Sequence, residues 1–187
     1  MITYDEYYAQ MMRISESVNV LHYLSVPDSD ARNFVNCTGL RHTEALWKCA
    51  GLYHKYLAEF ADAIDQENLY KSLSNAIRVV LQPLIANMDV LQWDLFLPSD
   101  VEEDPTFYAM WQNKMADFYR MNPYTFIGYI AMFGSNDIFP DSVDGYSSWF
   151  SDQMLLLSNY CLTHNIDIEY AINIVKKEIN PYVPDPM

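Results

Sequence analysis

Basic residues are scarce in this chain. Eleven Lys and Arg face 25 Asp and Glu over 187 residues, a formal net charge of −14. A phosphate backbone is recognised by clustered Lys and Arg, so direct nucleic-acid binding is not expected. Glycine is scarce as well, at 5, which argues against a sheet protein built on tight turns. The three cysteines, Cys37, Cys49 and Cys161, are odd in number and lack metal-ligand spacing. They read as reduced, mostly buried residues of a cytosolic protein. No apolar run approaches the ~20 residues of a membrane span, and no signal peptide precedes the first helical pattern. The expected location is therefore the cytoplasm, of the producing or of an infected cell. Cys-x-x-Cys, phosphate-loop, Gly-x-Ser-x-Gly and dinucleotide-binding glycine patterns are all missing. His22, His42, His54 and His164 lack the i, i+4 spacing of helical metal pairs and read as structural or surface residues.

Apolar residues are plentiful. They make up 51% of the chain, with 15 Tyr, 9 Phe and 10 Met among them. That supports one compact domain with a sizeable core. The apolar positions recur at helical spacing, and no segment shows two-residue alternation bounded by hairpin signals. Helices are expected from about Ile2 to Leu24, with Ile2, Tyr4, Tyr8, Met11, Met12, Val18 and Leu21 on one stripe. Another runs from about Arg41 to Asp65, with Leu46, Ala50, Tyr53, Leu57, Phe60 and Ile64. A third follows over Leu69–Ala86, which Pro83 should kink or interrupt. Asp89 is a plausible N-cap of a short helix. Further helices are expected at about Thr106–Met121, Tyr124–Phe133, Tyr146–Thr163 and Ile168–Asn180, with a loop over Phe133–Ser147. The proline-rich tail should be extended. The fold class is all-α, a bundle of about six to eight helices.

Leu97–Pro105 is the best internal boundary, and it divides the chain into halves 1–97 and 105–187. Asn87-Met88-Asp89-Val90 in one half is echoed by Asn165-Ile166-Asp167-Ile168 in the other. Each follows an apolar helix and opens an amphipathic one. A diverged tandem repeat would produce this echo.

The stretch Tyr56–Val80 carries the chemistry. Glu59 and Asp62 stand at i, i+3 on one helix, and Asp65 follows in the turn. As ligands they would suit a divalent cation; as solvated residues at a helix end they are ordinary. The surrounding pattern is Gly51-Leu52, Glu59, Ala61-Asp62-Ala63-Ile64, Asn68-Leu69, an apolar run to Leu84, then Asn87-Met88-Asp89-Val90. It resembles the all-α nucleoside triphosphate pyrophosphohydrolases, the MazG-like superfamily of bacteria and phages, over roughly residues 3–96. The resemblance implies a MazG-like bundle in the first half. It also implies a Mg²⁺ site built from Glu-x-x-Glu on one helix and Glu-x-x-Asp on the next. The metal would hold the triphosphate and activate water. Of those four carboxylates only Glu59 remains. The first falls on Tyr56, or on Lys55 if the register slips by one, and Ser72 and Asn75 stand in the second motif. In the second half only Asp152 matches, with Trp149 in place of its partner. Such a chain looks like a degenerate member of the family.

The expected function is accordingly a non-enzymatic, phage-encoded interaction protein that binds and modulates a host protein. Asp100, Glu102, Glu103 and Asp104 form an acidic epitope for a basic groove, or simply a solvated linker. The aromatic run from Phe107 to Phe133 reads first as core. Exposed Tyr, Trp and Met would instead mark a face for a partner or a second copy, a homodimer. No cofactor is expected in this reading. Two alternatives keep the nucleotide: a Mg²⁺-dependent pyrophosphohydrolase using Glu59 and Asp62, and a nucleotide-binding sensor or sponge. The enzyme needs three or more converging carboxylates, the sponge an aromatic-walled pocket, and the interaction protein an exposed apolar face.

Overall fold

The computed structural model describes residues 2–24, 42–86, 105–136 and 143–179. Seven helices and no strands lie among these residues. They are α1 (Tyr4–Leu24), α2 (His42–Asp62), α3 (Gln66–Ala86), α4 (Pro105–Arg120), α5 (Pro123–Asn136), α6 (Val143–Thr163) and α7 (Ile168–Ile179). The all-α architecture follows the sequence expectation. Pro83 lies within the last turn of α3, and the helix runs through it to Ala86. So near the end, the missing N–H removes one helical bond instead of breaking a long ladder. The loop expected over Phe133–Ser147 is shorter than its glycines imply. α5 continues to Asn136 and α6 already begins at Val143. The short helix after Asp89, the Leu97–Pro105 boundary and the tail lie outside the described residues.

The helix ends are set by local side chains. Thr3 and Glu6 form a reciprocal capping box on α1: the Glu6 N–H donates to Thr3 Oγ1 (3.3 Å), and the Thr3 N–H to Glu6 Oε2 (2.9 Å). These bonds hold the Glu6 carboxyl below its ordinary pKa. Asp65 caps α3 by accepting from the Asn68 N–H (2.8 Å), which explains an acid just past the end of α2. Asn122 caps α5 through the Thr125 N–H (2.9 Å), with Pro123 at the first helical position. α6 stops at Thr163, and Asn165 just beyond it adopts φ 55° while the Ile166 N–H returns to the Cys161 carbonyl (2.8 Å). Two residues on, Asp167 caps α7 through the Tyr170 N–H (3.0 Å). The Asn165–Ile168 junction is thus a helix stop and start, as the sequence reads. Its counterpart at Asn87 lies outside the described residues.

α2 and α3 form a tight antiparallel hairpin, α3 packs on α7, and α7 on α1. α6 is the axis, touching α1, α3, α4, α5 and α7. Six consecutive residues, Leu156 to Cys161, are buried along it, as expected of a helix covered on all sides. Against it pack Tyr7, Met11, Ile14 and Val18 of α1, Tyr53, Leu57 and Phe60 of α2, and Leu73, Ile77 and Val80 of α3. The stripe on α1 runs through Tyr7 and Ile14, whereas Met12, expected inside, is exposed. Ile64 is 95% exposed, because α2 stops at Asp62 and leaves it in the turn. Tyr160 sits at the heart of an aromatic stack, parallel to Phe126 at 4.0 Å and to His164 at 4.2 Å.

Candidate functional site

Three surfaces carry the residues with chemical potential. The first is the mouth of the α2–α3 hairpin. Glu59, Asp62, Asn68, Lys71, Ser72 and Asn75 line one cleft there of about 330 Å³. Helical spacing brings this about: Glu59 and Asp62 share a face of α2, Ser72 and Asn75 the facing side of α3. Glu59, Asp62, Ser72 and Asn75 therefore share one cleft, whereas Tyr56, the remaining motif position, does not line it. Each of the four already has a local partner. Glu59 pairs with Lys55 one turn back (3.6 Å). Asp62 accepts from the Tyr124 hydroxyl of α5 (2.7 Å), and that bond, with the carboxylate charge behind it, raises the Tyr124 pKa. Ser72 Oγ donates to the Asn68 carbonyl (2.8 Å), and Asn75 Oδ1 accepts from Arg78 (3.1 Å). Two carboxylates beside a lysine, a serine and two amides offer fewer anionic oxygens than a Mg²⁺–triphosphate complex uses. Among the described residues no group of three or more His, Cys, Asp or Glu is placed to hold a metal ion.

The second surface is the outward side of α5. This 14-residue helix contains no charged residue. Phe126 and Ile130 point into the core, as period 3.6 demands. Tyr124 (64% exposed) and Met132 (67%) face outward, with Gly128 and Ala131 between them also exposed. A Cβ built on Gly128 meets nothing within 4 Å. Asp62 bounds this face at the Tyr124 end. Asp117, whose charge together with burial raises the Tyr129 pKa, lies along its flank. Tyr119, 70% exposed, stands at the end of α4 over His164, away from this face.

The third is a groove of about 610 Å³ between α1, α4, α5 and α6, walled by Tyr4, Phe107, Trp111 and Tyr129. On its floor the Tyr7 hydroxyl donates to Asn159 Oδ1 (2.6 Å), both residues being buried. Burial drives the Tyr7 pKa far up. The aromatic run on α4 is thus part core, part groove and part surface.

The remaining candidates are accounted for individually. Cys161 is buried and its thiol pKa is pushed well above the ordinary value by desolvation, so it is an inert packing residue. Cys37 and the side chain of Cys49 lie outside the described residues, as do the side chains of His22 and His42. His54 is half-buried, which lowers its pKa. His164 donates from Nε2 to the Phe118 carbonyl (3.0 Å), a structural bond between α4 and α6. The acidic epitope Asp100, Glu102, Glu103 and Asp104 lies outside the described residues. No helix of the described residues is long and apolar enough to cross a membrane.

Sequence reasoning anticipated an exposed aromatic face without locating it. The aromatic run Phe107–Phe133 reads first as core, and the absence of charge from Pro123 to Asn136 is the signal that sets α5 apart within it. Comparison with protein-family models, with curated proteins and with solved structures finds no match for this chain.

Proposed function

We propose that this chain is a non-enzymatic interaction protein, an acidic helical bundle that docks a protein partner on the outward face of α5 and modulates it. One observation carries the reading: a helix without a single charge leaves Tyr124, Gly128, Ala131 and Met132 exposed. A helix that is apolar all round is ordinarily covered, and exposed Tyr and Met flanking small residues suit close approach of another surface. The acids at its edge, Asp62 and Asp117, within a chain of net charge −14, favour a partner whose apolar ridge is rimmed by Lys and Arg. The resemblance to phage pyrophosphohydrolases makes a host protein the partner we propose.

The test is affinity capture with the wild-type chain and with Met132→Glu and Ala131→Glu, both exposed positions at which the fold tolerates charge. A partner retained by the wild type and lost with both variants supports the reading. Retention by both variants removes α5 from the interface. Light scattering on the same proteins separates a homodimer from a foreign partner.

Magnesium-dependent nucleotide hydrolysis is the second reading, favoured by the convergence of Glu59, Asp62, Ser72 and Asn75 on one cleft. Release of pyrophosphate from a nucleoside triphosphate, abolished by Glu59→Gln, would replace the interaction reading with this one.

A further inference from the structure

The groove between α1, α4, α5 and α6 differs from a packing defect in three respects. Its walls are aromatic, with Tyr4 edge-on to Trp111 at 5.1 Å, and Tyr108, outside the lining, braces the same indole at 5.6 Å. Rings so held present fixed π faces and edges to whatever enters. Its floor is polar. Asn159 is 2% exposed, and among the described residues its side chain makes one hydrogen bond, accepted by Oδ1 from Tyr7. The Trp111 indole N–H, in the same lining, is buried without a partner among the described residues, in a setting where buried donors are ordinarily matched. Its rim carries Lys114, exposed and in no ion pair among the described residues. The one carboxylate lining the groove, Asp117, is already met by Arg120 at 3.6 Å.

We infer that this groove binds a small planar aromatic anion. Its ring stacks among Tyr4, Phe107 and Tyr129, a ring acceptor takes the Trp111 indole N–H, and its negative group pairs with Lys114. The chemistry is that of a heteroaromatic carboxylate. Apolar walls with few convergent polar groups are the ordinary make-up of a small-molecule site, and about 610 Å³ accommodates a two-ring ligand. In a chain this acidic an unpaired lysine beside an aromatic groove gives an anion a local reason to bind. The inference is independent of the α5 docking face, since Tyr124, Gly128, Ala131 and Met132 do not line the groove.

The test is a titration of the ¹⁵N-labelled full chain with quinoline-3-carboxylate, following the Asn159 side-chain amide and the Trp111 indole N–H. Two further probes each remove one contact: naphthalene-2-carboxylate lacks the ring nitrogen, and quinoline lacks the charge. The expected result is a saturable shift of both signals by the first probe. Each control should bind about fivefold more weakly. Lys114→Glu, a surface change that leaves the core intact, should weaken quinoline-3-carboxylate by a similar factor and leave quinoline unaffected. Absence of saturable shifts at Asn159 and Trp111 overturns the inference. So does equal binding of all three probes, because that would be unspecific apolar adsorption.

Discussion

The hydroxyl of Tyr124 donates to Asp62 Oδ1 at 2.7 Å, joining the end of α2 to the start of α5 across 62 positions of sequence. The bond engages one of the two acids on which a metal site would rest, and it pins the exposed face of α5 beside the α2–α3 cleft. Because the carboxylate accepts the phenol's proton and adds its own charge, the Tyr124 pKa is raised. Asp62→Asn should return it toward the ordinary tyrosine value. A ¹³C titration of the tyrosine ring carbons reads this directly. An unchanged Tyr124 in the variant would mean that the contact is not formed in solution.

The same relationship bears on metal binding. Glu59 has Lys55 beside it and Asp62 has Tyr124, so Mg²⁺ must displace both to gain two carboxylates. Titration with Mg²⁺ alone is expected to leave the side-chain carbonyl signals of Glu59 and Asp62 unmoved at millimolar concentration. Saturable shifts of both would restore the cleft as a cation site.

Core energetics turn on the hairpin and the central helix. Leu57 is fully buried between α2 and its neighbours, so Leu57→Ala removes contacts and leaves a cavity. A loss of about 2–5 kcal/mol in urea unfolding is expected. A loss under about 1 kcal/mol would show that the site collapses or that α2 packs loosely.

Two buried serines should respond in opposite directions. Ser74 Oγ donates to the Tyr70 carbonyl (2.6 Å) and approaches the Ala171 carbonyl of α7 (3.2 Å), so Ser74→Ala removes a bond that ties α3 to α7. Its cost is about 1 kcal/mol. Ser158 Oγ is buried without a partner among the described residues. Ser158→Ala deletes an unmatched polar atom and should be neutral or stabilising by up to about 1 kcal/mol. The pair of melting temperatures checks both.

Alkaline pH is the weak side of this fold. Burial raises the pKa values of Tyr4, Tyr7, Tyr53, Tyr129 and Tyr160, the last to about 12. A raised folded pKa means that the native state holds its protons longer than the unfolded chain does. Its contribution to stability is therefore whole below about pH 10 and is lost as pH climbs through the folded values. Absorbance of tyrosinate and helical ellipticity should change together in one steep step above pH 10. Full ionisation of all tyrosines with the helices intact would contradict the burial described here.

Much of the fold was legible because it depends on local patterns. Helical spacing and caps such as Asp65, Asn122 and Asp167 act within a turn of chain. What one sequence does not decide is which of two adjacent apolar residues turns inward. Tyr7 and Tyr8, or Met11 and Met12, have equal hydropathy, and packing against α6 and α7 selects Tyr7 and Met11. The stripe on α2 was carried one step too far, to Ile64, because the helix stops when the Ala63 N–H bonds the Phe60 carbonyl. At the cleft, Glu59, Asp62, Ser72 and Asn75 could be placed together from spacing alone. The Tyr124 contact could not, since nothing local links α2 to α5.

The face of α5 offers a test in which stability and binding part company. Gly51 on α2 and Gly128 on α5 are both exposed helical glycines, and a Cβ on either meets nothing within 4 Å. Alanine lowers the backbone freedom of the unfolded chain and costs nothing in the folded one, so Gly51→Ala and Gly128→Ala should each stabilise by about 0.5–1 kcal/mol. On the docking face proposed above, Gly128 between Tyr124 and Met132 would permit the close approach of a second surface. Gly128→Leu, with a larger side chain in the same open space, should therefore raise or preserve the melting temperature while weakening capture of the partner about tenfold or more. Gly51→Leu is the control: it should keep the partner. Equal capture by both variants would separate α5 from binding and leave the glycine without an interfacial role.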